Sequence, residues 1–394
     1  MLKRFIQSRG VRKFRRDRFA VVAFLIVLVY LTAALAIALG AITREDTTVR
    51  VGPDSQVGSF ETPTDAQRLS YVSFHIDTIE TAAKNSRGPK AYEELELFGA
   101  VPAIANVEEA KARVDELWKR FDELSDISES DEGLDEAGRA SLAEFADEVD
   151  ALWTVPEANR SLKQSWATWL GTDRQGRSIL LRALYSIKVA VQVGLVAAFV
   201  SVLIGTILGG IAAFFGGWVD HVIVWLYSMF SAIPYIVLLM VLASMFLGSS
   251  VENTLIPVYV SFCMTFWIGP CRVIRGEVMK LRELEYVQAA TTLGFGRFRV
   301  LLRHVLPNTA HLMFINFSLL FVGAIKAEVI LSFLNLGVKN QPSWGVMISQ
   351  AKQEVIGGFF WQIGAATFFM FVLVLAFNIL SDALQDAFDP KHVG

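Results

Sequence analysis

The side chains able to do chemistry in this 394-residue chain are few and scattered. The five histidines (His75, His221, His304, His311 and His392) fall singly, with no H-E-x-x-H pair and no Cys/His spacing suited to a metal. Cys263 and Cys271 share one apolar stretch, where a small apolar role suffices. There is no G-x-x-x-x-G-K-[ST] to cradle nucleotide phosphates and no G-x-S-x-G to present a nucleophilic serine. Lys326 and Glu328 are the charged residues that fall close to a long apolar run, near its exit. An ionisable group there is a functional candidate, lining a pathway or gating it. Packing against polar backbone, or pairing with another subunit, would account for it equally well.

The other candidate is a whole segment, Glu277–Asn308, reading EVMKLRELEYVQAATTLGFGRFRVLLRHVLPN. Its first part predicts a short helix that stops at Gly294, a residue suited to a helix C-cap. Leu281, Leu284, Val287 and Thr291 lie along one stripe of it. Ala289 and Ala290 are small, so another protein could approach the backbone closely. A second short helix, Arg297–Val305, alternates basic and apolar residues, and Pro307 opens the apolar run that follows.

The elements that must position this segment are apolar. Of the chain, 53% is hydrophobic and only 19% charged. That excludes a disordered chain and argues against an ordinary soluble enzyme, in which about a quarter of residues are charged. Uncharged runs occur at Phe19–Ala41, Val189–Val219, Val222–Val251, Asn253–Cys271, Val305–Ile325 and Val355–Ser381. A run of about 20 such residues spans a bilayer core, so six transmembrane helices are expected. The first exceeds the usual length of a signal-peptide core and reads as an uncleaved anchor. Gly205, Gly209, Ala213 and Gly217 recur at a four-residue spacing that lets helices pack closely. Pro234 would bend the third span by removing a helix hydrogen bond, as a kinked wall or a hinge.

The net charge of −3 hides an asymmetry. Residues 42–168 carry 27 Asp+Glu against 13 Lys+Arg, a net of −14, and the remainder carries +11. The basic part does not resemble a nucleic-acid binder, because its charges sit between apolar runs. Lys and Arg gather before the first run (Lys3 to Arg18) and between the fourth and fifth (Arg272 to Arg303), while Gly248–Glu252 has none. By the positive-inside rule both termini are cytoplasmic, and the acidic 42–168 insertion lies outside. Within it Val107, Ala110, Val114, Leu117, Phe121 and Leu124 recur at helical steps, as do Leu134, Leu142, Phe145, Val149 and Leu152. With a breaker at Ser128–Gly133, an antiparallel helical hairpin is expected. It would serve as a landing platform for a soluble partner or as a self-stabilising insertion. Trp153, Trp166 and Trp169 suit the return to the headgroup level.

The Glu277–Asn308 segment resembles the coupling loop of ABC importer permeases, whose pattern runs E-A-A, three residues, G, nine residues, I-x-L-P. Here Gln288-Ala289-Ala290, Gly294 and His304-Val305-Leu306-Pro307 keep that spacing, with Gln288 for Glu and His304 for Ile. Further stretches resemble the second, C-type permease of the oligopeptide/dipeptide/nickel group. They are Gly171-Thr172-Asp173-Arg174-Gln175-Gly176-Arg177-Ser178, Phe215-Gly216-Gly217-Trp218-Val219-Asp220, Ala327 to Val338 (A-E-x-x-L-S-F-L-G-L-G), Pro342-Ser343-Trp344-Gly345 and Asp386 to Pro390. The likeness covers about 168–391.

It implies an all-α polytopic membrane protein of the ABC type I importer permease fold. Residues 1–18 would be a basic cytoplasmic start, 19–41 the first span, 42–168 a mainly helical extracytoplasmic insertion, and 169–391 the five-helix permease domain with its coupling loop at 277–308. It also implies a permease in the inner or plasma membrane, not itself an enzyme, binding no cofactor and working with two ATPase subunits that use ATP. A second homologous permease and an extracytoplasmic solute-binding protein would complete the system. Glu285, Tyr286, Gln288, Ala289, Ala290, Gly294, Leu306 and Pro307 would form the ATPase-docking loop. The solute would be a peptide, nickel, an opine, a sugar or a similar small molecule. A membrane-embedded receptor or sensor with an acidic outer domain is the alternative. A secondary transporter would need inverted repeats and ionisable groups within its spans.

Overall fold

The computed structural model describes residues 17–48, 64–84, 101–102, 107–129, 134–151, 153–154, 166–167, 169–356 and 358–388. The basic residues before Asp17, most of the Ser128–Gly133 breaker, Leu152 and the closing Asp389-Pro390 lie outside these. The chain divides into two compact units, one of Met1–Ala41, Leu184–Ser349 and Ala366–Gly394, the other of Ile42–Ala183 and Gln350–Ala365.

The first unit is built from apolar helices. α1 (Arg18–Ala38) starts where the Asp17 carboxylate accepts the backbone N–H groups of Phe19 and Ala20 at 2.9 and 3.3 Å, an N-cap that satisfies donors the helix cannot. Its buried stripe, Ala20, Ala23, Val27, Tyr30, Ala34 and Ile37, follows the helical spacing. Ala23 and Val27 pack with Ala376 and Leu380 of the last helix, and the Tyr30 hydroxyl donates to the Phe369 carbonyl at 2.8 Å. The opposite face, including Phe19, Leu25 and Val29, stays exposed, as a helix facing lipid requires.

α5 (Ile179–Phe215) is followed by α6 (Gly217–Ser231) and α7 (Tyr235–Ser244). The small-residue stripe of α5 does two different jobs. A Cβ on Gly205 would stand 2.6 Å from the Trp267 carbonyl, and one on Gly209 would run into the Cys271 carbonyl. These two glycines therefore let α5 approach α9 (Ile268–Leu281) backbone to backbone. Gly217 instead belongs to a turn, with φ of +56° after +65° at Gly216, conformations that favour glycine.

The third span, Val222–Val251, expected to bend at Pro234, is broken there. α6 and α7 meet at 88°, with Pro234 as the residue before α7 at φ −54° and ψ 127°. Proline donates no backbone hydrogen bond and its ring clashes with the preceding turn, so one helix becomes two. α8 (Ile256–Phe266) and α9 continue as one 26-residue span, Ile256–Leu281. It runs past the uncharged stretch to take in Arg272, Arg275 and Lys280.

α10 (Glu285–Thr292), α11 (Arg297–Val300) and α12 (Ala310–Phe333) follow. A wide turn at Leu301–Val305 and a tight turn at Leu306–Thr309 connect α11 to α12. α13 (Trp344–Ile356) and α14 (Trp361–Phe388) close the chain. The last span thus starts at Trp361, not Val355, because Gly358 at φ +83° separates the two helices. Among the described residues five helices are long and apolar enough to cross a membrane, six if α6 and α7 count as one broken span.

In the second unit the two helices expected from periodicity are α3 (Val107–Glu129) and α4 (Glu136–Ala151). A third, α2 (Asp65–Lys84), was not anticipated. Leu69, Val72 and Ile76 of α2 close a core with Val114, Leu117, Leu124, Leu134, Leu142, Phe145 and Val149. Polar braces surround it. Arg113 and Arg120 bond Glu148 at 3.0 and 2.6 Å, Arg139 bonds Asp65 at 2.9 Å, and Trp118 Nε1 donates to Glu80 at 2.8 Å. Burial pushes the His75 imidazole down to about 4, so it is neutral in the folded core at physiological pH. Two-residue strands β1 (Val101–Pro102) and β2 (Trp153–Thr154) pair antiparallel, Val101 opposite Thr154. Trp166 and Trp169 are exposed.

The same unit contains the Gly171–Ser178 turn. Asp173 Oδ1 accepts the N–H groups of Gln175 and Arg177 at 2.9 and 3.0 Å, and its Oδ2 pairs with Arg177 and with the buried Arg182. Gln350 Oε1 accepts Arg182 Nη2 at 2.5 Å and Arg177 Nη2 at 3.1 Å, and Glu354 accepts the Arg174 N–H at 2.9 Å.

Candidate functional site

The 285–309 segment carries a short helix, α10, held at its base and bare on its outer side. α10 begins with Glu285, whose negative charge suits a helix N-terminus. It ends in a Schellman motif: Gly294 N–H donates to Thr291 at 3.1 Å and Phe295 N–H to Ala290 at 3.2 Å. That motif needs a left-handed residue, and Gly294 supplies it at φ +85°. Of the stripe Leu281, Leu284, Val287 and Thr291, Val287 alone is buried, while Leu284 and Thr291 face outward. Val287 sits in one cluster with Ala213 of α5, Ile274 and Val278 of α9, and Val300, Leu301 and Val305. Ala290 and Leu306 pack against the same cluster.

Glu285, Tyr286, Gln288, Ala289, Gly294 and Pro307 are exposed. Around them stand uncovered apolar side chains: Leu284, Leu293, Phe295 and Phe298. Leu293 is 77% exposed, which water alone does not favour and an interface would. The Tyr286 hydroxyl accepts from Asn308 Nδ2 at 2.8 Å, tying α10 to the entrance of α12, and Gln288 Nε2 donates back to the Glu283 carbonyl at 3.1 Å.

Two supports were not evident from the sequence as site residues. Arg275 of α9 grips Asp220 of α6 with two bonds of 2.6 Å, a bidentate pair. Arg282 Nη1 donates to the Ala213 carbonyl at 2.7 Å. Both had signals in the sequence: Asp220 closes the Phe215–Asp220 motif, and Arg275 and Arg282 precede the loop. Without geometry the arginines counted only toward orientation. Together these contacts seat the loop on α5, α9 and the start of α12, and α9 is in turn pinned to α6.

Pro234 lies exposed at the α6–α7 break, and Glu328 lies fully buried within α12, bonded to Ser332 at 2.6 Å. The structure does not bring either to the 285–309 segment. Among the described residues no three His, Cys, Asp or Glu side chains are grouped to hold a metal ion.

Comparison with known proteins shows the family of the chain. Residues 201–393 match the family described as "Binding-protein-dependent transport system inner membrane component". The chain is 36% identical over 236 residues to the dipeptide transport system permease protein DppC of Bacillus subtilis, covering 59% of this chain and 71% of that protein. It is 32% identical over 226 residues to the oligopeptide transport system permease protein OppC of Haemophilus influenzae, covering 57% and 70%. A glutathione transport system permease protein, GsiD of Pectobacterium atrosepticum, is 32% identical over 228 residues, covering 58% and 74%. A solved chain of the MetNI methionine ABC transporter, inward facing, overlaps with a TM-score of 0.42 at 14% identity, covering 53% of this chain and 95% of that one. The chain therefore belongs to the family of binding-protein-dependent transport system inner membrane components, the permease subunits of ABC importers.

Proposed function

We propose that this permease forms part of the translocation path for peptides or similar small solutes, and that α10 with Gly294, Leu306 and Pro307 is where ATPases dock. The observation that carries the reading is the seated but uncovered α10. Its inner side is anchored by Val287, and its outer side shows Glu285, Tyr286, Gln288 and Ala289 beside exposed Leu284, Leu293 and Phe295. A helix fixed to several spans transmits a rigid-body shift better than a free loop. Two ATPase subunits would use the ATP, this chain would hold no cofactor, a second homologous permease would complete the path, and a soluble binding protein would deliver the solute. Nucleic acid plays no part. The relatives named for dipeptide, oligopeptide and glutathione transport support the peptide class. The receptor alternative is not favoured by this kinship.

In this reading both termini are cytoplasmic and residues 42–168 lie outside the inner membrane. Pull-down of the tagged full chain from native membranes should bring down a P-loop ATPase that exchanges nothing for added salt alone but is lost with Gly294→Asp. Recovery of the chain with no ATPase overturns the docking reading.

Among the described residues, the core of the acidic three-helix cluster is made by residues 69–149. Deleting 58–160 should therefore leave the permease part folded. Uptake unchanged from the full chain is the expected result and marks the insertion as a self-contained module; uptake lost with binding-protein affinity would mark it as the landing platform.

A further inference from the structure

Two lysines stand within the apolar helices of the first unit with no carboxylate beside them. Lys188 lies about 14 Å along α5 from its start at Ile179, and Lys326 about 10 Å short of the end of α12 at Phe333. Among the described residues neither has an ion-pair partner. Lys326 is exposed. Lys188 is half-buried, its Nζ 5.1 Å from the centre of the Tyr185 ring, a cation–π contact. The Tyr185 hydroxyl donates to Gln341 Oε1 at 3.4 Å, which holds that ring in place.

The packing of α5 on α12 turns both lysines to one side. A Cβ on Gly194 would stand 2.7 Å from the Phe321 ring and 3.4 Å from Ile325, and one on Gly210 would stand 2.8 Å from Leu306. Rising numbers on α5 meet falling numbers on α12, so the two helices run antiparallel. Lys188 precedes Gly194 by six positions, and Lys326 follows the midpoint of Phe321 and Ile325 by three. With 3.6 residues per turn, each lysine lies about 120° round its helix from the contact. Opposite chain directions then place both on the same side of the seam, at levels about 5 Å apart. Gln192, one turn after Lys188, is exposed on the same α5 face.

That side differs from the surfaces that suit lipid. α1 exposes Phe19, Leu25 and Val29, and α14 exposes Phe368, Phe371 and Leu375. No charged residue falls from Phe19 to Leu39 or from Trp361 to Ser381. The open stripe of α12 instead sets Lys326 between exposed Leu319 and Phe333. Within a span a lysine faces water or a countercharge rather than acyl chains.

We propose that Lys188 and Lys326 form a carboxylate-binding station on the wall of the translocation path, taking the C-terminal carboxylate of a peptide in transit. The proposal rests on the permease reading above and adds the group of the solute that this chain touches. Two unneutralised ammonium groups on one side of a seam attract an anion more strongly in a narrow path than in bulk water. Lysine holds that anion as a point charge, without the fixed fork of arginine, which suits a solute that must move on.

The first test needs no solute. Lys188→Cys, Lys326→Cys and Leu375→Cys are made in a Cys263→Ala/Cys271→Ala background, and the complete transporter in liposomes is exposed to membrane-impermeant methanethiosulfonates, with and without ATP. The first two should react and Leu375→Cys should not. At Lys188→Cys the anionic reagent should be preferred over the cationic one, and adding Lys326→Met should lower that preference severalfold. Cysteines at 188 and 326 as unreactive as the one at 375 would place both lysines against lipid and overturn the station. A preference that ignores Lys326→Met also overturns it, since the two would share no site. The second test compares import of trialanine and of trialanine amide with the same binding protein. Lys326→Met should lower the acid-to-amide ratio by about tenfold, the worth of one hydrogen bond to a charged group, and Lys326→Arg should restore most of it. Equal loss of both compounds, the mark of a lysine paired with a neighbouring subunit, counts against the proposal. Failure of the underlying permease reading shows separately, as no ATP-driven import by the unsubstituted chain.

Discussion

Gly294→Asp should abolish ATP-driven import while the protein still accumulates in the membrane. The position has φ +85°, and a Cβ there would have nothing within 4 Å. Space is not the obstacle, and Asp is among the side chains that tolerate the left-handed region, at about 1–2 kcal/mol. The fold should survive that cost. What changes is the outer surface of α10, where a carboxylate would be pressed into a protein contact without a partner. Burying an unpaired charge costs several kcal/mol, which corresponds to more than about a hundredfold in affinity. Gly294→Asn separates the two effects, since it carries a similar backbone cost and no charge; it should keep most of the import. Transport assays on membrane vesicles with equal amounts of each variant decide the matter. Normal import by Gly294→Asp would remove α10 as the docking site.

Asp173→Ala should be the most destabilising single substitution in the Gly171–Ser178 turn, by about 3–5 kcal/mol, because it removes one partner of a buried ion pair together with the acceptor of two backbone N–H groups. The Asp173 carboxylate holds the turn together from inside, accepting two backbone N–H groups and pairing with Arg177 and Arg182. Arg182 is 2% exposed. Without Asp173 the buried Arg182 keeps its bond to Gln350, which also receives Arg177, but loses the carboxylate it pairs with in the turn. Thermal unfolding of the detergent-solubilised chain should show the loss. The double variant Asp173→Ala/Arg182→Ala should lose less than the two single losses combined, because each single variant already breaks the same pair. Equal melting of the single variant and the parent would refute the account.

The pH dependence of this turn follows from its charges. Burial pushes the Asp173 carboxyl up, but Arg182 and then Arg177 outweigh it and hold it below the usual carboxylate range. Its contribution is therefore fully present above the unfolded value of about 3.9 and disappears only as pH falls through its own lower value. Glu354, raised chiefly by burial despite the Arg174 N–H, has the opposite sign. It binds its proton first as the medium is acidified, and stability from that group rises as it does so.

Much of the candidate site was legible because its signals are local. A glycine where a helix must turn left-handed, small residues beside it and a Leu-Pro pair opening the next span depend on neighbours a few positions away. Gly294 ends α10 at the left-handed φ its position implied, and Leu306 and Pro307 form the turn into α12; Ala290, expected to leave room for a partner, packs inward instead. Asn335 shows the same logic at a departure from the family pattern. It occupies a glycine position of the A-E-x-x-L-S-F-L-G-L-G motif and adopts φ +60°, which Asn tolerates better than most side chains. The break at Pro234 was foreseeable as a bend, since a missing N–H is a property of one residue, but its 88° was not.

Other features were hidden because they are agreements between distant segments. α2 was missed: its core residues Leu69, Val72 and Ile76 stand at helical steps but are only three, and only α3 and α4 make that thin stripe a core. Glu328 drew attention as an ionisable group at the end of a span, with several roles open to it. Its full burial beside Ser332 depends on how the loop after α12 folds back. The twin bond of Arg275 on Asp220 and the gathering of Arg177 and Arg182 on Asp173 and Gln350 are likewise invisible in spacing. By itself the sequence determined what local physics controls: the apolar spans, the division of charge, the coupling-loop motif and the residues that end its helices. Tertiary structure alone decided which charges meet, which glycines admit a neighbouring backbone and which carboxyl is enclosed. Those outcomes depend on distances between residues far apart in the chain, which no periodicity encodes.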